Sequence, residues 1–86
     1  MGNQATFRVQ DVFSIAGKGI IVVGMLTDGF LRKGMRSSIN GKQAEVLEIE
    51  SQNTPLESLT TGVPAGVLLS NIEKNDIKKG SDCFFE

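Results

Sequence analysis

Turn signals built on glycine punctuate this chain, and the stretches between them carry strand patterning without a convincing amphipathic helix. Asn40-Gly41 is the strongest of them, because a two-residue type I′ hairpin needs positive φ at both central positions and this pair tolerates it. Gly17-Lys18-Gly19 marks a second tight reversal, and Asp28-Gly29 ends an apolar run. Arg32-Lys33-Gly34 and Lys78-Lys79-Gly80 each follow an apolar residue and precede a β-patterned stretch, so Gly34 and Gly80 are expected in left-handed positions of two similar turns. This is reuse of a turn, with no tandem domain repeat.

The stretches between these turns read as strands. Residues 6–15 form the first, with Phe7, Val9, Phe13 and Ile15 on one parity and a bend or bulge expected near Asp11. Ile20 to Thr27 is nearly unbroken apolar sequence, which predicts burial on both sides or a strongly coiled path, with Gly24 as a barrel kink. A third strand is expected around Met35 to Ile39 and a fourth over Gln43 to Ser51. In the fourth, Leu47 and Ile49 are expected inward, Glu48 and Glu50 toward water, and Ala44 and Val46 require a register adjustment. Residues 52–66 read as a long connection with one short turn of helix or strand at Leu56 to Leu59. Val67 to Ser70 and Ser81 to Phe85 complete six or so strands. Without a convincing amphipathic helix, the pattern predicts an all-β sandwich or barrel.

Eighty-six residues suit one core, so residues 1–86 are expected to form a single domain, and closing a barrel would protect sheet edges in so small a unit. Nine Lys and Arg against ten Asp and Glu give a net charge of −1, which leaves no global positive field to attract nucleic acid or anionic lipid. Any nucleic-acid contact must then use a local patch. The longest apolar run is far too short to span a bilayer as a helix, so no membrane partner is expected. One cysteine, Cys83, cannot form an intramolecular disulfide, and Met1 to Thr6 is polar where a signal peptide needs an apolar run; a reducing, cytoplasmic setting is the expectation.

Asp11-Val12-Phe13-Ser14-Ile15, Gly17-Lys18-Gly19, Val22-Val23-Gly24 and Gly29 together resemble the opening of domain II in the elongation factor Tu family of translational GTPases. Gly34, the strand ending at Ile39, Gly66-Val67-Leu68-Leu69 and Ile77-Lys78-Lys79-Gly80 follow in the family's order, so the resemblance runs from Phe7 to Phe85. It implies a six-stranded antiparallel closed β-barrel of the translation elongation factor domain II type, either standing alone or excised from a larger GTPase. In that family a separate nucleotide-binding domain performs the GTP chemistry. Here there is no G-x-x-x-x-G-K-[ST] loop to wrap phosphates in backbone N–H groups, so this chain is not expected to bind GTP itself.

The resemblance further implies docking on ribosomal RNA and, in elongation factor Tu, a pocket for the aminoacylated 3′ end of tRNA. Asp11 and Phe13 match pocket positions. Gln10 replaces the acidic residue before Asp11, Val23 replaces a Thr, and Pro64 stands where an Asn is expected, so the polar lining of that pocket is incomplete. Each hydrogen-bond partner removed from a dry pocket costs about 1–3 kcal/mol.

Arg32, Lys33 and Arg36 form the densest basic group, to be joined by Lys18 or Arg8 if the fold brings these loops together. Guanidinium forks and ammonium groups suit phosphate contact, against the simpler account that charge at turns is solvation. With no Tyr or Trp and only five Phe, a base-stacking platform is not expected. The simplest account of Asp11 is a structural aspartate accepting backbone N–H bonds, and of Glu45, Glu48 and Glu50 a wet strand face. No His and a single Cys argue against a metal site, against cofactors and against the usual nucleophile–base pairs, so catalytic residues are not expected. Cys83 reads as a buried, inert thiol. The sequence thus predicts a non-catalytic, translation-related binding module. It docks on RNA or a ribonucleoprotein surface, or alternatively packs as a scaffold barrel on a GTPase-like partner domain, with Arg32, Lys33, Arg36, Lys18, Arg8, Asp11 and Phe13 as its contact residues.

Overall fold

The structure, a computed structural model, describes residues 4–86. Six strands form an antiparallel barrel in the order β4 (Arg36–Ile39), β5 (Lys42–Ser51), β8 (Pro64–Leu69), β2 (Gly19–Gly29), β1 (Ala5–Ile15) and β9 (Asp82–Phe85). Reciprocal backbone hydrogen bonds between Arg36 and Glu86, each 2.9 Å, join the two ends of this path and close the barrel. Two short strands, β3 (Leu31–Arg32) and β7 (Ser58–Leu59), pair beside it, and β6 (Thr54–Leu56) folds back on β5. The segment expected to be a long connection therefore contributes β6, β7 and the start of β8.

The turns hold where glycine demanded them. Asn40 and Gly41 have φ of 51° and 78° and bring Ile39 opposite Lys42, the geometry of the two-residue hairpin. Gly34 and Gly80, at φ 91° and 86°, occupy matching left-handed positions.

Two bulges decide which side chains enter the core. In β1 the register shifts between Val9 and Asp11, so Phe7 and Val9 point inward before the bulge and Val12 points inward after it. Phe13 and Ile15, expected to share the inner face with Phe7, are turned out, Phe13 being 47% exposed. In β5 the shift between Val46 and Glu48 seats Ala44, Val46 and Ile49 in the core and leaves Leu47 outside, again reversing the expectation for that residue. The core is completed by Ile20, Val22, Leu26, Leu31, Leu59, Val67, Leu69 and Phe85. Cys83 is buried with them, and burial first, then Asp82, raises its thiol to about 11, which keeps it protonated and inert.

A 3-10 turn at Lys74–Asp76 is tied to the β4–β5 hairpin through one carboxylate. Asp76 Oδ2 accepts from Lys42 Nζ and from the Glu73 backbone N–H, both at 2.8 Å, and Oδ1 accepts from Asn40 Nδ2 at 2.7 Å. The Lys42 bond, then Asn40 and the backbone N–H, hold its pKa down to about 2. A carboxylate depressed below the unfolded value of about 3.9 stabilises the fold above that pH, and the contribution disappears as pH falls toward 2. Asp76→Asn should therefore lower the melting temperature near pH 6 and flatten its decline between pH 5 and 2. Melting curves across that range that match wild type at every pH would refute the role given to Asp76.

Candidate binding groove

Residues that alternate inward to fill the barrel leave their neighbours on its outer face, and over β2 and β8 those neighbours are largely apolar. The register sets Phe13 opposite Ile21, Ile21 opposite Leu68, and Leu68 opposite Glu48; a parallel row runs Asp11, Val23, Gly66, Glu50. Ile15, Ile21, Val23 and Leu68 thus line a groove of about 500 Å³. Leu68 is nearly covered yet belongs to this outer surface, since its neighbours Val67 and Leu69 carry the inward positions. Gly66 deepens the floor, because a Cβ there would lie 3.4 Å from Ile21 Cγ2. The β1–β2 hairpin with Lys18 borders one end; Pro64 and the Gln52–Asn53 turn, held by a 2.7 Å bond from Ser51 Oγ to the Pro64 carbonyl, border the other.

Glu48 and Glu50 form the β5 wall, and among the described residues neither is ion-paired. Asp11, on the β1 flank, is engaged otherwise. Its Oδ1 accepts the Val12 backbone N–H at 2.9 Å and lies 3.4 Å from Lys79 Nζ, and those two partners, the backbone bond foremost, lower its pKa. In the described residues β1 pairs with β9 only from Ala5 to Arg8, so beyond the bulge its outer edge has no strand partner, and the Asp11 carboxylate covers one of the exposed donors there.

The seven residues expected to form the contact surface are dispersed. Lys18 lines the groove, and Phe13 flanks it on β1 opposite Ile21. Lys33 lies across β5, where it shares a smaller depression with Glu48, Glu50 and Asn53, and sits 3.8 Å from Glu57. The Arg32 guanidinium stacks over Phe30 at 5.2 Å from the ring centre. Arg36 is on β4 beside Glu86, and Arg8 on β1 is bound to Asp82 through its Nε, which raises its pKa further. Arg8 is therefore committed to tying β1 to β9.

The resemblance pointed to Val23 and Pro64, but sequence reasoning missed the rest of the floor, Ile15, Ile21 and Leu68, with Glu48 and Glu50 as its charged wall. The available signal was the unbroken apolar run at Ile20 to Leu26. A strand whose two faces are both apolar has an interior face and a second face to cover, and here the second is the groove.

Comparison with known proteins bears on this architecture. No protein-family model matches the chain. It is 34% identical over 82 residues to elongation factor 1-alpha of Cenarchaeum symbiosum, covering 93% of this chain and 19% of that protein. Elongation factor 1-alpha of Pyrobaculum arsenaticum is 39% identical over 74 residues, covering 84% of this chain and 17% of the relative. Among solved structures, translation elongation factor SelB from Methanococcus maripaludis in its apo form superposes with a TM-score of 0.83 at 17% identity, covering 98% of this chain and 20% of that one. A bacterial selenocysteine-specific elongation factor gives the same TM-score at 15% identity, covering 96% of this chain and 15% of that one. The barrel is of the elongation factor Tu domain II type.

The domain II-type barrel spans about a fifth of the curated relatives it matches. Asp11 and Phe13, which the resemblance led us to expect in a pocket, lie on β1 opposite Val23 and Ile21, while Val23 and Pro64, the two altered positions of that expected pocket, line the groove. Among the described residues no His, Cys, Asp and Glu side chains gather in a group of three that could hold a metal, and no helix is long and apolar enough to cross a membrane.

Proposed function

We propose that this barrel is a non-catalytic docking module of the translation apparatus and that the groove over β1, β2, β8 and β5 is its working surface. The observation that carries this reading is the apolar outer row Phe13–Ile21–Leu68, in which Phe13 is exposed, Ile21 half-buried and Leu68 the covered floor of a groove that no other element of the described barrel fills. Val23 and Pro64 remove hydrogen-bonding groups from the family's pocket, so the surface favours a ligand held by apolar contact over an aminoacyl-tRNA end held by polar ones. The same groove serves a barrel acting alone or one packed against a GTPase-like domain.

A second reading places RNA or a ribonucleoprotein surface on Arg32, Lys33 and Arg36. The exposed Phe30–Arg32 stack favours it, since that pair offers both a ring face and a guanidinium.

Co-sedimentation with purified ribosomes separates the two. Leu68→Arg and the exposed-site variant Phe13→Ser should each reduce retention about tenfold, equivalent to about 1.4 kcal/mol, while Arg32→Glu/Lys33→Glu leaves it within twofold. Retention unaffected by both groove variants sinks the groove reading; retention lost in the charge-reversed variant and strongly salt-dependent establishes the RNA surface instead. A wild-type barrel that does not sediment with ribosomes overturns the translation partner.

A further inference from the structure

Resting on the groove reading above, we infer that the groove's occupant is an extended protein segment presenting an apolar side chain to Ile21 and Leu68 and a Lys or Arg to Glu48 and Glu50. Two observations select this chemistry. The floor is apolar and nearly without donors, which suits an aliphatic or aromatic side chain. The β5 wall carries two carboxylates without ion-pair partners among the described residues, and the one cation lining the groove, Lys18, lies at the hairpin end. A phosphate chain laid along this floor would pass two carboxylates that make no ion pair among the described residues and meet one ammonium, because Lys33, which shares the depression on the other side of β5, lies 3.8 Å from Glu57; a basic side chain in the groove meets both carboxylates. Asp11 does not alter this balance, because Lys79 and the Val12 N–H already satisfy it.

The spacing follows from the sheet. Ile21, Leu68 and Glu48 lie opposite one another on adjacent strands, so two strand separations of about 4.8 Å put the apolar and acidic subsites roughly 10 Å apart, and Phe13 adds a third separation. An extended chain advances about 3.3 Å per residue and returns a side chain to the same face every second residue, which places the basic residue two or four positions from the apolar one. The Gly66 gap beside Leu68 gives the backbone of such a segment room to approach the sheet.

The test is selection of a random decapeptide display library on the intact 86-residue chain, followed by fluorescence anisotropy with one enriched peptide and, in parallel, a fluorescein-labelled ACCA oligoribonucleotide. Enriched peptides should share an aliphatic or aromatic residue with Lys or Arg two or four positions away. Glu48→Gln/Glu50→Gln should weaken the labelled peptide about tenfold and reduce its salt dependence, and Phe13→Ser should weaken it comparably. Peptides sensitive to Phe13→Ser but indifferent to Glu48→Gln/Glu50→Gln, or lacking a basic residue, overturn the inference and leave the groove reading standing. Peptides indifferent to Phe13→Ser defeat the groove reading itself. An oligoribonucleotide that binds more tightly than any peptide, and tighter again to Glu48→Gln/Glu50→Gln, assigns the groove to nucleic acid and also overturns the inference.

Discussion

Gly24→Val should cost about 3 kcal/mol of folding stability and lower the melting temperature by about 15 °C. Gly24 lies opposite Val9 at the β1 bulge, and a Cβ there would run into the Arg8 carbonyl oxygen, with the Gln10 nitrogen 3.2 Å away. Neither strand can retreat cheaply. On its other side Gly24 pairs with Ala65 of β8, so moving β2 away from β1 strains the next ladder. A domain of this length has roughly 4–13 kcal/mol in total, so the loss takes a large share of it. Gly41→Ala is the comparison: its φ is 78° but nothing lies within 4 Å of an added Cβ, so it should cost only about 1 kcal/mol of backbone strain. Calorimetry or urea titration reads both. If the two variants unfold together, the close approach at the bulge is not what requires glycine at position 24.

Phe85→Ala should cost about 3–5 kcal/mol, whereas Phe84→Ala should stay within about 0.5 kcal/mol of wild type. The two phenylalanines are adjacent and chemically the same; Phe85 is 0% exposed and Phe84 48%. Phe85 fills the core next to the point where β9 completes the barrel, its carbonyl accepts the Gln4 N–H at 2.8 Å, and the following residue makes the reciprocal pair with Arg36. Truncating it leaves a cavity beside the closing seam, so amide exchange in β4 and β9 should rise before that in β2 and β8. Equal losses from the two substitutions would contradict the assignment of Phe85 to the core and Phe84 to solvent.

Much of the fold was legible in local chemistry. Asn40-Gly41 can form few other two-residue reversals, and the repeated Lys-Gly turns needed left-handed glycine whatever lay around them. Strand existence followed from alternating and β-branched apolar stretches between these turns. Facing was less accessible, because one extra residue in a strand inverts every side chain beyond it. Asp11 signalled a bulge, but the exposure of Phe13 and Ile15 depended on its position between Val9 and Asp11. The same arithmetic at Leu47 exchanged it for Val46 in the core.

The candidate surface was less legible than the barrel. Arg32, Lys33 and Arg36 stood out because charge clusters are visible in a linear chain, while Ile21, Leu68, Glu48 and Glu50 lie on three strands that only pairing brings together. Lys33 and Arg8 looked free in sequence, yet the fold supplies Glu57 near the first and Asp82 against the second. Partners that far apart along the chain are invisible to any local pattern.

By itself the sequence determined the turns, the strand-rich class, the family type and the absence of a phosphate-binding loop, since each is a property of residues close together in the chain. Only the tertiary structure decided which face of each strand is buried, which cations are already paired and where the glycine-punctuated strands leave an open apolar groove. The reason is physical: backbone conformation at a turn is set within a few bonds, but burial and charge pairing depend on register across strands, and a single bulge is enough to change both.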